Sequence, residues 1–286
     1  MTFHELIQES IQTLSKYHPD TAKFEINHLI KHCFKISQEK LLLSLTNQVE
    51  NKTNLNIFKG ALDERIKGKP IDLIIGTSEF CGHTYYVEEG VLIPRPETEW
   101  LVQAALSEVK SNFGTDSFTS IELGFGSGVI SIELALNFQK AKFYAWDISE
   151  KSYNLAKKNA VFHNVNQIQF YQKNFFEKEW LKHVNPKIPF LFVSNPPYIA
   201  TNELANLDDS VINYDPISAL DGGDTGLNFY QKCFDEFKQH KVVMIFEIGF
   251  NQKEEIVKLL RNFHQFKYKF KKDFAGKNRI LIIKTF

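Results

Sequence analysis

Cysteine is scarce: Cys33, Cys81 and Cys233 are the three in 286 residues, scattered and odd in number. That usage excludes a small disulfide-stapled scaffold and fits a reducing compartment. Net charge is also lacking, because 34 Lys and Arg balance 34 Asp and Glu. No overall field then draws the chain onto nucleic acid or an anionic membrane, which leaves room only for a local basic patch. No apolar run approaches the length that spans a bilayer. The opening residues, Met1-Thr2-Phe3-His4-Glu5, contain no basic stretch followed by an apolar block. The expectation is a cytoplasmic protein, with no membrane partner. Internal repeats and low-complexity tracts are missing as well. What is present is 43% hydrophobic and 24% charged residues, enough for one large domain and one small one, each with its own core.

From about residue 3 to 67 the apolar residues recur at helical spacing, as in Leu6, Ile7, Ile11 and Leu14, then Phe24, Ile26, Leu29 and Ile30. A small all-helical domain over 1–68 follows. Gly68-Lys69-Pro70 breaks that pattern, and 71–93 reads as extended pieces punctuated by Gly76, Gly82 and Gly90, giving a β-hairpin linker over 69–93. Past Arg95-Pro96, residues 97–109 look helical, and strand-like and helix-like runs then alternate through 94–286. Strands are expected over 120–123, 142–146, 167–171, 190–194 and 242–248. Helices are expected over 129–138 and 150–163, the second with Ser149 as its N-cap. This alternation predicts an α/β doubly wound fold with a mostly parallel sheet, whose ligands belong at the carboxyl ends of the strands.

Three motifs fall at such ends. Glu122-Leu123-Gly124-Phe125-Gly126-Ser127-Gly128 closes one strand and opens a helix, and its alternate glycines let backbone turn sharply and approach a ligand. Val129 stands where a dinucleotide fingerprint needs glycine, which argues against a pyrophosphate cradle. Asp147 ends the next strand, 23 residues after Gly124, where a carboxylate can accept from both hydroxyls of a ribose. Together they point to a nucleoside. A tight strand-to-helix turn would explain the glycines alone.

The third motif is Asn195-Pro196-Pro197-Tyr198, directly after the fourth expected strand. Paired prolines fix their own φ and restrict the residue before them. They also have no N–H, so the loop offers the Asn195 side-chain oxygen and the Pro196 carbonyl as acceptors for a substrate NH₂. Tyr198 can supply a flat face for a planar group. An amide or aromatic amine would fit there; the bland alternative is a stiffened turn.

The combination of Glu-Leu-Gly-Phe-Gly-Ser-Gly, Asp147 and Asn195 to Tyr198 resembles S-adenosylmethionine-dependent amino-group methyltransferases. Leu92-Ile93-Pro94-Arg95-Pro96-Glu97-Thr98-Glu99 is similar to the signature of the protein-(glutamine-N5) methyltransferase family. Asp215 to Leu220 with Gly222-Gly223, Glu247-Ile248-Gly249 with Gln252, and Gly276 to Arg279 also resemble segments of that family. The resemblance covers essentially the whole chain. It implies S-adenosylmethionine as cofactor and, as substrate, the glutamine of the Gly-Gly-Gln motif in class-1 peptide-chain release factors. Because the cofactor and amide motifs all lie from Gly124 onward, the helical domain over 1–68 is expected to recognise that substrate; the bland alternative is that it shields apolar surface of the catalytic domain. Gly124 to Gly128, Asp147, Asn174, Phe175 and Asn195 are then the cofactor-site candidates, with Asn174 and Phe175 beside the adenine. Asn195, Pro196, Pro197 and Tyr198 are the catalytic and substrate-binding candidates. Three positions depart from the family pattern: Phe125 replaces a small residue, Asn174 an aspartate and Phe175 a tryptophan.

Other readings are methylation of a ribosomal-protein glutamine or of adenine N6 in DNA, and a cofactor-binding interaction module without catalysis. DNA would ask for a recognition region and a basic channel, and neither is evident. A mere binder has no need of the Asn195 to Tyr198 clamp. His28 and His32, with Cys33 beside them, have metal-ligand spacing but no third ligand cluster, so no metal is expected. Lys267, Lys269, Lys271 and Lys272 interleave with Tyr268 and Phe270. A strand with one solvated face accounts for them, and no direct nucleic-acid contact is expected. The segment 201–225 is long enough to act as a cover.

Overall fold

The computed structural model describes residues 1–114, 117–185 and 188–286. It divides into two compact units, 1–77 and 78–286.

The first unit is helical: α1 (Phe3–Leu14), α2 (Ala22–Phe34), α3 (Gln38–Leu43), α4 (Lys52–Ile66) and α5 (Ile71–Ile75). Thr2 and Glu5 form a reciprocal capping box at the start of α1, satisfying two N–H groups there. Leu14, Ile26, Leu29, Ile30 and Phe58 are sealed from solvent and form the core, with Cys33 packed among them. The extended reading of 71–75 is corrected: that stretch is helix. Pro70 fixes the entry, Asp72 sits in the first turn, and Gly76 in the left-handed region ends it. Packing of Ile71, Ile74 and Ile75 on the helical core outweighs their preference for strand. His28 stacks on Phe24 with its Nδ1 3.0 Å from the Phe24 carbonyl oxygen. Among the described residues there is no cluster of His, Cys, Asp and Glu suited to a metal ion.

An ion pair crosses this unit. Arg65 on α4 donates to both oxygens of Glu25 on α2, at 2.6 and 3.1 Å, and both residues are buried. Removing one member strands the other charge away from water. Arg65→Ala is therefore expected to destabilise the helical unit by about 3 kcal/mol or more, read as an earlier unfolding transition in urea. A loss under about 1 kcal/mol would mean that water replaces the guanidinium.

A hairpin, β1 (Thr77–Phe80) and β2 (His83–Tyr86), starts at the last residue of the first unit and lies otherwise in the second. Its two-residue loop, Cys81-Gly82, has positive φ at both positions, the tight mirror-image turn that matches strand twist. It is no free linker. Tyr86 N–H donates to Asn159 Oδ1 at 2.8 Å, and Asn159 Nδ2 returns a bond to the Tyr86 carbonyl at 3.1 Å.

The remaining elements are α6 (Glu99–Asn112), β3 (Thr119–Leu123), α7 (Val129–Asn137), β4 (Lys142–Asp147), α8 (Glu150–Phe162), β5 (Ile168–Gln172), β6 (Phe190–Ser194), α9 (Asp209–Tyr214), α10 (Asn228–Phe237), β7 (Val242–Glu247), α11 (Lys253–Leu260), β8 (Lys267–Lys272) and β9 (Asn278–Lys284). The sheet runs β5-β4-β3-β6-β7-β9-β8. Its first five strands are parallel, and β9 inserts antiparallel between β7 and β8. Strand order reverses between β3 and β6, so loops leaving their carboxyl ends diverge and open a crevice there. Ser149 caps α8 as expected, accepting from Ser152 N–H.

Both faces of the sheet are covered, which explains the unbroken apolar runs of β6 and β7. Leu191, Val193, Val243 and Ile245 face α6 and α7, while Phe190, Phe192, Met244 and Phe246 face α10 and α11. Many of the phenylalanines lie in that second layer, as core. On β8, Lys269 does not simply enter solvent. Its Nζ lies 2.6 Å from Glu108 on α6, and Lys284 reaches the other oxygen at 2.9 Å. Burial alone would raise the Glu108 carboxyl, but these two cations and Asn112 hold it down at about 2. Among the described residues no helix is long and apolar enough to cross a membrane.

Candidate active site

The strand register lines up one end of the sheet. Leu123 pairs with Trp146 on one side and Ser194 on the other, and Gly124 N–H donates to the Trp146 carbonyl at 2.8 Å. Ser194 Oγ donates to the Leu123 carbonyl at 2.7 Å. Gly124, Asp147 and Asn195 therefore leave adjacent strands at the same level. A cleft of about 290 Å³ opens there, walled by Gly124, Gly126, Asp147, Asn174, Phe175, Asn195, Pro196 and Pro197.

Gly124 and Gly126 have φ of +73° and +51°, conformations that side chains rarely adopt. A Cβ added at Gly126 would meet no protein atom within 4 Å, and one at Gly124 would stop 4.0 Å from the Asn195 carbonyl. Packing leaves the backbone here open to a ligand. Gly128 serves packing instead, because its Cβ would come within 3.0 Å of Ala156 Cβ on α8. Asp147 Oδ2 accepts from Gly126 N–H at 3.0 Å and Oδ1 from Ser149 N–H at 2.9 Å. Each oxygen keeps a lone pair for a further donor. Burial pushes this carboxyl above its ordinary range against the pull of those backbone donors. A buried acceptor beside open glycine backbone suits a ribose, so these residues fit S-adenosylmethionine.

The structure does not bring every candidate to the cleft. Phe125 is buried against Ala145 and Ala156, edge-on to Phe170, and Ser127 is buried with its carbonyl bonded by Asn159 Nδ2 at 2.9 Å. Neither lines the cleft, and neither does Gly128. Asn174 Oδ1 accepts from Phe176 N–H at 3.1 Å, capping a short 3-10 turn. Phe175 also lines the cleft, although its ring is buried, stacked on Trp180 and in an edge contact with Trp146. Phe176 and Phe229, both half-buried and outside the sequence motifs, supply further apolar wall.

Asn195 donates from Nδ2 to Thr98 Oγ1 at 3.2 Å, and among the described residues none donates to its Oδ1. Pro196 is buried, and no backbone N–H among those residues bonds its carbonyl. Tyr198 stands apart from the cleft wall: its hydroxyl donates to Glu247 Oε1 at 3.2 Å. Burial raises that phenol well above its ordinary value, with the Glu247 charge adding.

The segment 201–225 is ordered into 3-10 turns and α9, and it is stitched to this loop. Ile199 N–H bonds the Leu220 carbonyl, and Gly222 N–H bonds the Ile199 carbonyl, at 2.9 and 2.8 Å. Gln252 Nε2 donates to the Tyr198 and Gly226 carbonyls, at 2.8 and 3.2 Å. Gly226 has no room for a Cβ, which would lie 2.4 Å from the Tyr198 carbonyl oxygen. Arg95 pairs with the buried Asp215, and Pro216, Ser218 and Ala219 then form the far wall of the cleft.

Known proteins share this architecture. Residues 115–186 match a family model described as a methyltransferase domain, and residues 5–76 match one described as a PrmC N-terminal domain. The solved hMettl16 catalytic domain in complex with MAT2A 3'UTR hairpin 1 superposes with a TM-score of 0.54 at 15% identity, over 92% of this chain and 91% of that one. That likeness shows the fold. Fold, glycine loop and buried acidic strand end together define an S-adenosylmethionine-dependent methyltransferase. The release factor glutamine methyltransferase of Bacillus cereus is 33% identical over 233 residues, covering 80% of this chain and 81% of its own. That of Bacillus subtilis is 33% identical over 282 residues, covering 96% of each. The chain belongs to the release factor glutamine methyltransferase family.

Proposed function

We propose that this enzyme methylates the side-chain amide nitrogen, N5, of the glutamine in the Gly-Gly-Gln motif of class-1 peptide-chain release factors. The observation that carries the reading is Asn195, which lines the cleft beside the cofactor residues with its Nδ2 tethered to Thr98, leaving Oδ1 as the end of the amide free to accept from a substrate. Oδ1 and the Pro196 carbonyl accept the two N–H groups of the substrate amide and fix its plane. An amide nitrogen is a poor nucleophile because its lone pair is shared with its carbonyl, so holding that nitrogen in line supplies much of the catalysis. S-adenosylmethionine provides the methyl on a sulfonium: the carbon–sulfur bond breaks as the carbon–nitrogen bond forms, sulfur keeps the electron pair, and one amide proton leaves to solvent. Asp147 would hold the ribose, Gly124 and Gly126 would take the ribose and amino-acid portions, and Asn174 with Phe175 would border the adenine. Tyr198, anchored through its hydroxyl to Glu247, would pack its ring on the plane of the substrate amide. Incubation with labelled S-adenosylmethionine and a purified release factor, followed by mass spectrometry, should place one methyl on that glutamine. Label on a ribosomal protein or on adenine, with none on the release factor, would sink the assignment.

We assign the helical unit recognition of the protein substrate, since the cleft is lined from Gly90 onward and the cofactor motifs start at Gly124. Residues 78–286 alone are expected to bind S-adenosylmethionine and to methylate the release factor much more slowly, because remote contacts commit binding energy to the weak nucleophile. A folded fragment, verified by circular dichroism, that matches the full chain in rate would remove that role.

A further inference from the structure

Asn195 can turn either end of its amide toward the cleft, and only the oxygen end can hold a substrate NH₂. Its orientation is therefore a catalytic requirement, met by residues behind it. Thr98 ends the 3-10 turn before α6 and is buried, with its oxygen 2.7 Å from Glu247 Oε2 and 3.2 Å from Asn195 Nδ2. An ionised carboxylate only accepts hydrogen bonds, so the one Thr98 proton goes to Glu247. The Thr98 oxygen can then only accept. Asn195 must answer with its NH₂, which sends Oδ1 to the cleft. The other Glu247 oxygen accepts from Tyr198, three residues beyond Asn195, so one carboxylate holds the loop directly at Tyr198 and through Thr98 at Asn195.

We propose that Thr98 and Glu247 are positioning residues that set the Asn195 amide for substrate, and that they do so only while Glu247 is ionised. This rests on the reading of Asn195 as the amide acceptor. Tyr198 keeps donating to Oε1, so the proton that Glu247 gains goes to Oε2, which then donates to Thr98 and frees the Thr98 proton. Thr98 could then donate to Asn195 Oδ1, and the flipped amide would present NH₂ to NH₂. Burial pushes the Glu247 carboxyl up to about 7, against the pull of Thr98, Arg279 on β9 and Tyr198, while Glu97 raises it further. Of the other groups around it, Tyr230 on α10 donates to its backbone carbonyl at 2.9 Å, and Arg279 is itself shared with Asp273 at 3.4 Å. The switch thus lies within the physiological range.

The test uses the full chain and three variants. Thr98→Val should lower kcat on the order of tenfold, as expected for loss of one orienting hydrogen bond, with the Kd for S-adenosylmethionine unmoved. Thr98→Ser, which keeps the hydroxyl, should recover most of that rate. In the unsubstituted protein kcat should fall as pH drops through about 7; in Glu247→Gln it should be low with that limb gone. An independent readout needs no substrate: the Asn195 side-chain amide protons, assigned by their loss in Asn195→Ala, should shift in NMR spectra across the same pH range and stay fixed in Glu247→Gln. Thr98→Val with undiminished kcat, or an amide signal that titrates unchanged in Glu247→Gln, would overturn the proposal. If the amide titrates as expected while no release factor is methylated, the positioning stands and the substrate assignment falls.

Discussion

Asn195→Ala is expected to slow methyl transfer about a hundredfold or more, while S-adenosylmethionine binds nearly as before. The lost group is the acceptor for a substrate N–H, and removing one aligned partner of the reacting group costs on the order of 3 kcal/mol in the transition state. Cofactor contacts survive because Gly124, Gly126 and Asp147 are held by their own bonds, through Trp146, Ser149 and the glycine loop itself. Alanine leaves Thr98 without its donor, but the Thr98 proton stays on Glu247, so nothing charged is stranded. Asn195→Asp offers a sharper comparison. It keeps an oxygen toward the cleft yet turns a second oxygen to the lone pairs of Thr98, next to the buried Glu247, and it should be nearly as slow as alanine. Single-turnover rates with saturating cofactor, alongside calorimetric affinities, separate the two effects. Full activity in Asn195→Ala would remove Asn195 from the substrate site.

How much of this was visible in the sequence differs by element. Among the parallel strands β6 and β7 are the most legible, as short apolar runs bounded by turn residues, whereas β3 and β5 interleave polar residues and show only as extended segments between helices. Asp147 and Asn195 were legible because a polar residue ends each run, and strand ends are where such a sheet binds ligands. Glu247 has the same form, an acid closing the apolar run Val242 to Phe246, but its partner Thr98 lies 149 residues away and no local pattern joins them. Phe125 misled through its position: lying between two glycines of the loop, it looks ligand-facing, whereas positive φ on both sides turns its ring into the layer against α8. For Tyr198, only the fold shows Glu247 within reach of its hydroxyl. Residues 71–75 failed for a different reason, because isoleucines that favour strand in isolation are held helical by the core they cover.

Asp147→Ala is expected to weaken S-adenosylmethionine by one to two orders of magnitude or more. A hydrogen bond to a charged group contributes roughly 1.5–3 kcal/mol, and two ribose hydroxyls share this carboxylate. A second loss acts in the same direction. Asp147 also ties down Gly126 N–H and Ser149 N–H, so alanine frees the glycine loop and the start of α8 as well as the ribose. Asp147→Asn separates these contributions. Its single oxygen can keep one of the two backbone donors, while its NH₂ opposes the other, so it should bind cofactor weakly in spite of its matched shape. Protonation makes a third comparison. Burial places the Asp147 carboxyl above the range of an exposed aspartate, so on acidification it loses its charge earlier than an exposed one would. Cofactor affinity should then fall with pH in the unsubstituted protein and stay level in Asp147→Asn, which has no proton to gain. Calorimetry across the acidic range reads both. Equal affinities in the alanine variant and the parent would move the ribose away from this strand end, and a parent-like acid limb in Asp147→Asn would assign the titration to another group.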